Sequence, residues 1–75
     1  MNEKQFKETM ARYLEEHGIW SEIIPILMNT ADQTPGGLME LAYYVLDQGK
    51  RLTQSKLVEK ALNIGKRAGN SGDAA

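Results

Sequence analysis

The sequence predicts an all-α fold: a compact bundle of about four short helices followed by a disordered polar tail. Three observations carry this prediction. Large apolar residues recur at three- and four-residue spacing in four separate segments. Capping residues or helix-breaking glycines bound each segment. No stretch alternates apolar and polar residues long enough to form a strand. The bundle is expected to be a single domain over residues 1–65, with residues 66–75 as the flexible tail.

The first helix opens at Asn2. Together with Gln5, Asn2 has the spacing of a capping box, in which each side chain satisfies a backbone N–H of the other. Phe6, Met10, Tyr13 and Leu14 then mark an apolar face, and Lys7, Glu8, Arg12, Glu15 and Glu16 the opposite one. His17-Gly18 ends the helix, because glycine accepts the left-handed conformation of a C-terminal cap. His17 at that helix C-terminus is explained by the dipole, which favours its cationic form. Glu15 and Glu16 are adjacent and diverge on a helix, so they form no carboxylate dyad.

A second helix is expected from Ser21 as N-cap to about Ala31, with Pro25 tolerated in its first turn. Ile23, Ile24, Ile26, Leu27 and Met28 place apolar groups almost all the way round it. Such a helix is normally covered on every side, and three short neighbours are not expected to suffice.

Thr34 and Pro35 read as the N-cap and first residue of a third helix. Leu38, Leu41, Ala42, Val45 and Leu46 form its apolar stripe, Tyr43 and Tyr44 lie at the stripe's edges, and Gly49 stops it. The segment "TPGGLMEL" invites comparison with a phosphate cradle, since glycines at a helix N-terminus let an anion approach backbone N–H groups. The lysine of a P-loop and its preceding strand are missing, so the glycines are expected to serve close helix packing instead.

Lys50-Arg51-Leu52 form a turn and Thr53 caps the fourth helix. Leu57, Val58, Ala61, Leu62 and Ile64 mark one face. Lys56, Lys60, Asn63 and Arg67 fall in a narrow arc on another. The predicted core comprises Phe6, Met10, Leu14, Trp20, Ile23, Leu27, Leu38, Leu41, Val45, Leu57, Ala61 and Leu62. "LTQSKLVEKALNIG" resembles the first helix of helix-turn-helix units, which implies a following recognition helix. Only a glycine-rich polar stretch follows Gly65. In a shifted frame the fourth helix itself would be the reader, but Lys50-Arg51 then stand where a buried apolar residue is expected.

With 75 residues, one domain is the upper limit. A chain this small buries only roughly 60% of its unfolded surface and usually needs a disulfide, a metal or a partner. It has no cysteine and one histidine, which excludes disulfides, thiolate metal sites and His-rich metal sites. No catalytic, cofactor-binding or metal-ligating residue is nominated, and no enzymatic activity or small-molecule substrate is expected. No apolar run approaches the roughly 20 residues that span a bilayer, and the N-terminus lacks a signal-peptide pattern. A cytoplasmic setting without membrane contact is expected.

The net charge of −1 hides a strong asymmetry. Residues 1–48 carry three basic and eight acidic groups, and residues 49–70 carry six basic and one acidic. Two function classes follow. The first is a small non-enzymatic adaptor or regulator that binds a protein partner or itself, as a homodimer, through Trp20, Ile24, Ile26, Met28, Tyr43 and Tyr44. The second is a nucleic-acid-binding regulator that contacts phosphates through Lys50, Arg51, Lys56, Lys60 and Arg67, with Asn63 offered to a base edge.

Overall fold

The computed structural model describes the backbone of residues 2–74 and side chains through Arg67. Helix α1 spans Glu3–Glu16, α2 Ile24–Asp32, α3 Gly37–Gln48 and α4 Gln54–Ala74, with a single 3-10 turn over Gly49–Arg51 between the last two. No strand occurs among the described residues.

The ends of α1 follow from its sequence. The Gln5 N–H donates to Asn2 Oδ1 at 2.8 Å and the Asn2 N–H to Gln5 Oε1 at 3.2 Å, closing the capping box. At the other end Gly18 adopts φ +85°. The Gly18 N–H donates to the Glu15 carbonyl and the Ile19 N–H to the Leu14 carbonyl, at 3.0 and 3.1 Å. This pair of bonds is a Schellman motif, which brings the residue after the glycine back onto the helix. Ile19 and Leu14 are accordingly both buried.

Trp20, placed in the core from sequence, is instead 64% exposed. Ile19 takes the inward position, and the next residue in the turn is directed away. The Trp20 N–H is tied to Gln54 Oε1 at 3.0 Å, at the first turn of α4.

Helix α2 begins later than Ser21 predicts. Ile23 is its N-cap without a side-chain bond, and Pro25 sits in the first turn, where no N–H is needed. Ile24, Leu27, Met28 and Ala31 are buried, at spacings of three and four, and α2 packs against α1, α3 and α4. Three neighbours therefore cover more of this helix than its all-round apolar sequence suggests. Pro25 and Ile26 are left outside.

Two glycines set the crossing of α2, α3 and α4. Gly36, not Thr34, is the N-cap of α3, at φ +75°. Thr34 turns its hydroxyl to the Ile64 carbonyl of α4, at 2.8 Å. Gly37 is buried, and a Cβ there would overlap the Ala31 carbonyl of α2 and lie 2.8 Å from Ile64 Cγ2. Gly65 does the same against α2: its Cβ would lie 2.7 Å from Thr30 Cγ2. The expected stop at Gly65 does not occur, because the residue serves close approach within a continuing helix. Helix α4 carries on through Lys66 and Arg67. The remainder of the predicted tail, the side chains of 68–75, lies outside the described residues.

Thr53 caps α4 as predicted, accepting the Lys56 N–H at 3.2 Å. The buried stripe of α4 is Leu57, Ala61 and Ile64. Leu62, assigned to the core from sequence, follows Ala61 by one residue, about 100° further round the helix, and is exposed. Leu46 departs from the core of α3 in the same way, one residue past buried Val45. Phe6 and Ile23 are half-buried against the core. Ile19, Ile24, Met28, Ala31, Leu52 and Ile64 complete it.

Candidate interaction surfaces

The basic arc of α4 is turned toward α3. Lys56 Nζ donates to Gln48 Oε1 at 3.4 Å and to the Arg51 carbonyl at 3.3 Å. Lys60 Nζ lies 5.3 Å from the centre of the Tyr44 ring and 3.4 Å from Glu40 Oε2. Arg67 also pairs with Glu40. Positions 48, 44 and 40 thus meet 56, 60 and 67, so α3 and α4 run antiparallel with one polar seam between them. The Arg67 guanidinium, and then Lys60, hold the Glu40 carboxyl below the usual glutamate range, against an opposing desolvation effect. Tyr44 belongs to this seam and is half-buried. Asn63 is exposed on the same arc, while Lys50 and Arg51 are exposed at the 3-10 turn and make no ion pair among the described residues. Of the six residues of the nucleic-acid set, Lys56, Lys60 and Arg67 thus line the seam with α3, Asn63 is exposed on the same arc, and Lys50 and Arg51 lie at the adjoining turn that Lys56 reaches.

The acidic half is also partly matched at home. Lys7 reaches Glu3 at 3.4 Å and Asp32 at 3.2 Å, tying α1 to the end of α2. Bonds to Asp32 first, then Glu3, raise the Lys7 pKa above its ordinary value.

Of the glycine pair, Gly37 is packed against its neighbours, while Gly36 borders an open depression. Gly37 faces the Ala31 carbonyl and Ile64 rather than open space. The depression beside this helix end, ≈ 470 Å³, is lined by Glu3 and Asp32 as well as Asn2, Phe6, Leu38 and Met39. Both carboxylates are ion-paired with Lys7. His17 sits at the end of α1 with its ring against Tyr13, centroids 4.2 Å apart, and Nδ1 3.0 Å from the Tyr13 carbonyl oxygen. No group of three or more potential metal ligands occurs among the described residues, and no helix there is long and apolar enough to cross a membrane.

Of the six residues assigned to a protein interface, Ile24 and Met28 are buried in the core and cannot serve a surface. Trp20 and Ile26 are exposed on the α2 side and Tyr43 on α3, so the set does not form one patch around α2. The coherent apolar surface lies elsewhere. Met39, Tyr43 and Leu46 are 46%, 66% and 65% exposed. They are spaced i, i+4, i+7, so they stack along one face of α3. Beside them runs a groove of ≈ 250 Å³ between α1 and α3, lined by Phe6, Thr9, Met10, Tyr13, Ala42, Val45 and Leu46.

The signal for this surface is present in the sequence. Helix α3 carries two interleaved apolar series, Leu38-Leu41-Val45 and Met39-Tyr43-Leu46, and only one can face the core. Merging Leu46 into the first series hides the second. The chain matches no protein-family model, no curated protein and no solved structure.

Proposed function

We propose that this chain is a small non-enzymatic adaptor or regulator that acts by binding protein through the outer face of α3 and the adjoining α1 groove. The observation that supports it is the continuous series Met39-Tyr43-Leu46, left uncovered while the parallel series Leu38-Leu41-Val45 is buried. Single exposed apolar residues are ordinary, but a contiguous apolar patch beside a groove marks an association site. Tyr, Met and Leu in such a setting supply large contact area, and the half-buried Phe6 and Tyr13 extend it onto α1. Nucleic-acid binding through α4 has less support, because Lys56, Lys60 and Arg67 are engaged with α3.

The test is a photo-crosslinking side chain placed at Tyr43 of the full chain in cells, with Glu59, exposed on α4, as the control position. A discrete light-dependent protein adduct from Tyr43 and none from Glu59 is the expected result. Absence of any adduct at Tyr43 refutes the assignment.

A further inference from the structure

We infer that α1 is a detachable cover: it undocks as one element from a closed unit of α2, α3 and α4, and its release extends the apolar face of α3 onto surface that it now hides. The unit beneath it is held together without α1. Helices α2, α3 and α4 each pack on the other two, and Gly37 and Gly65 bring α3 and α4 close against α2. Helix α1 has one principal neighbour, α2. Only Met10 and Leu14 of its 14 residues are buried, against four of nine in α2. Few buried apolar contacts mark the part of a fold that opens first. Depressions also run along both flanks of α1. Toward α3 lie the groove of ≈ 250 Å³ that Met10 and Tyr13 border and the depression of ≈ 470 Å³ at Asn2 and Phe6. Toward α2 lies a third, ≈ 230 Å³, with Lys7 and Ala11 on one side and Ile24 and Met28 on the other.

Polar ties do not make up the difference. Among the described residues, the one side-chain bond from α1 to another helix joins Lys7 Nζ to Asp32 Oδ2 at 3.2 Å. Both groups are partly exposed, where an ion pair contributes little. Beyond α1 the chain is anchored again: Ile19 is buried and the Trp20 N–H is bonded to Gln54. Between these anchors and α1 stands Gly18, at φ +85° with nothing packed where a Cβ would be. Separation at Gly18 therefore frees α1 alone. A helix of 14 residues is marginal in water once undocked, so it unravels as it leaves and its amides lose protection together.

The consequence concerns the association surface, and here the inference rests on the function proposed above. Ile24, Met28 and Val45 are buried, and each borders a groove that α1 walls. With α1 lifted they join Met39, Tyr43 and Leu46 in a wider apolar surface. A partner that needs the wider surface binds in proportion to the fraction of chains that are open.

Native-state hydrogen exchange, followed residue by residue by NMR on the full chain alone, tests the undocking. The amides of residues 10–16 are expected to exchange through one common opening, roughly tenfold or more as frequent as the opening that exposes Leu27, Leu41 and Leu57. Asp32→Asn removes the tie to Lys7 and is expected to make the α1 opening about two- to fivefold more frequent, the range for an exposed ion pair, with the other three helices unchanged. A single opening shared by all four helices overturns the inference. So does protection that falls smoothly from Glu16 to Met10, which is fraying of a helix end. Unchanged α1 exchange in Asp32→Asn overturns the role of Lys7 as the latch. The Tyr43 crosslink, repeated in Asp32→Asn, separates the cover from the surface it covers. An adduct that increases with the opening supports gating, and an adduct of unchanged yield overturns it. No adduct in either protein, with α1 exchanging as a unit, overturns the association surface and leaves the detachable cover standing.

Discussion

At the residue scale, glycine has two separate uses in this chain, and only one is legible from sequence. Gly18 ends α1 in the left-handed region, as its place after a polar helix end predicts. Gly37 and Gly65 occur where another backbone or side chain fills the space a Cβ needs. A neighbour in space leaves no trace in local sequence, which is why Gly65 reads as a helix stop. Gly37→Ala is therefore expected to destabilise the fold by about 1–3 kcal/mol, the range for overpacking a tight contact. In a domain this small each kcal/mol lowers Tm by about 4–8 °C, so a thermal melt resolves the change. An unchanged Tm contradicts the crossing described. Thr34 is the companion case. Its identity suggests a helix cap, yet its hydroxyl crosses to the Ile64 carbonyl 30 residues away.

At the element scale, periodicity locates every helix, and the errors lie at helix ends, where α2 starts after Ser21 and α4 runs past Gly65, and in rotation. Leu46 and Leu62 each sit one residue beyond a correctly placed core position, and one residue is about 100° of helix. Helix α2 shows the reverse error. Its all-round apolar sequence suggests an uncovered surface, but three neighbours bury Ile24 and Met28. The basic arc of α4 is visible as spacing, whereas its direction is set by Glu40, Tyr44 and Gln48 on another helix. That seam makes a prediction about pH. The Glu40 pKa is lowered on folding, so its contribution to stability is complete above the ordinary glutamate value of about 4.3. The contribution is lost as pH falls below that value and through the depressed one. Glu40→Gln is expected to flatten the pH dependence of Tm on the acid side. An identical acid limb in both proteins argues against the Lys60–Glu40–Arg67 cluster as a folded-state interaction.

At the scale of the whole molecule, the all-α class is recoverable from sequence, as are the core positions Met10, Leu14, Leu27, Leu38, Leu41, Val45, Leu57 and Ala61, whereas Ile19, Ile24, Met28, Ala31, Leu52 and Ile64 are missed. The candidate surface is only half recoverable. Tyr43 is identifiable at the edge of a stripe, but Met39 and Leu46 become its companions only once the core has claimed the other series. The charge asymmetry between the halves of the chain also changes meaning on folding. Lys60 and Arg67 meet Glu40, and Lys7 meets Glu3 and Asp32, so part of the contrast closes internally. What stays open includes Lys50 and Arg51 at the turn after α3.

The crossing at Gly37 and Gly65 has a consequence for how the protein is made. Thr34 and Gly37 meet Ile64, Thr30 meets Gly65, and Trp20 meets Gln54, so the middle of the chain is closed by a segment synthesised after it. During translation α1, α2 and α3 emerge before α4, whose buried stripe is Leu57-Ala61-Ile64 and against which α2 and α3 pack. A fragment ending at Gly49 is expected to melt without a cooperative transition, whereas a sharp transition in that fragment shows that the first three helices close on their own. Without such closure, the nascent chain keeps its apolar faces open to chaperones and proteases until α4 arrives.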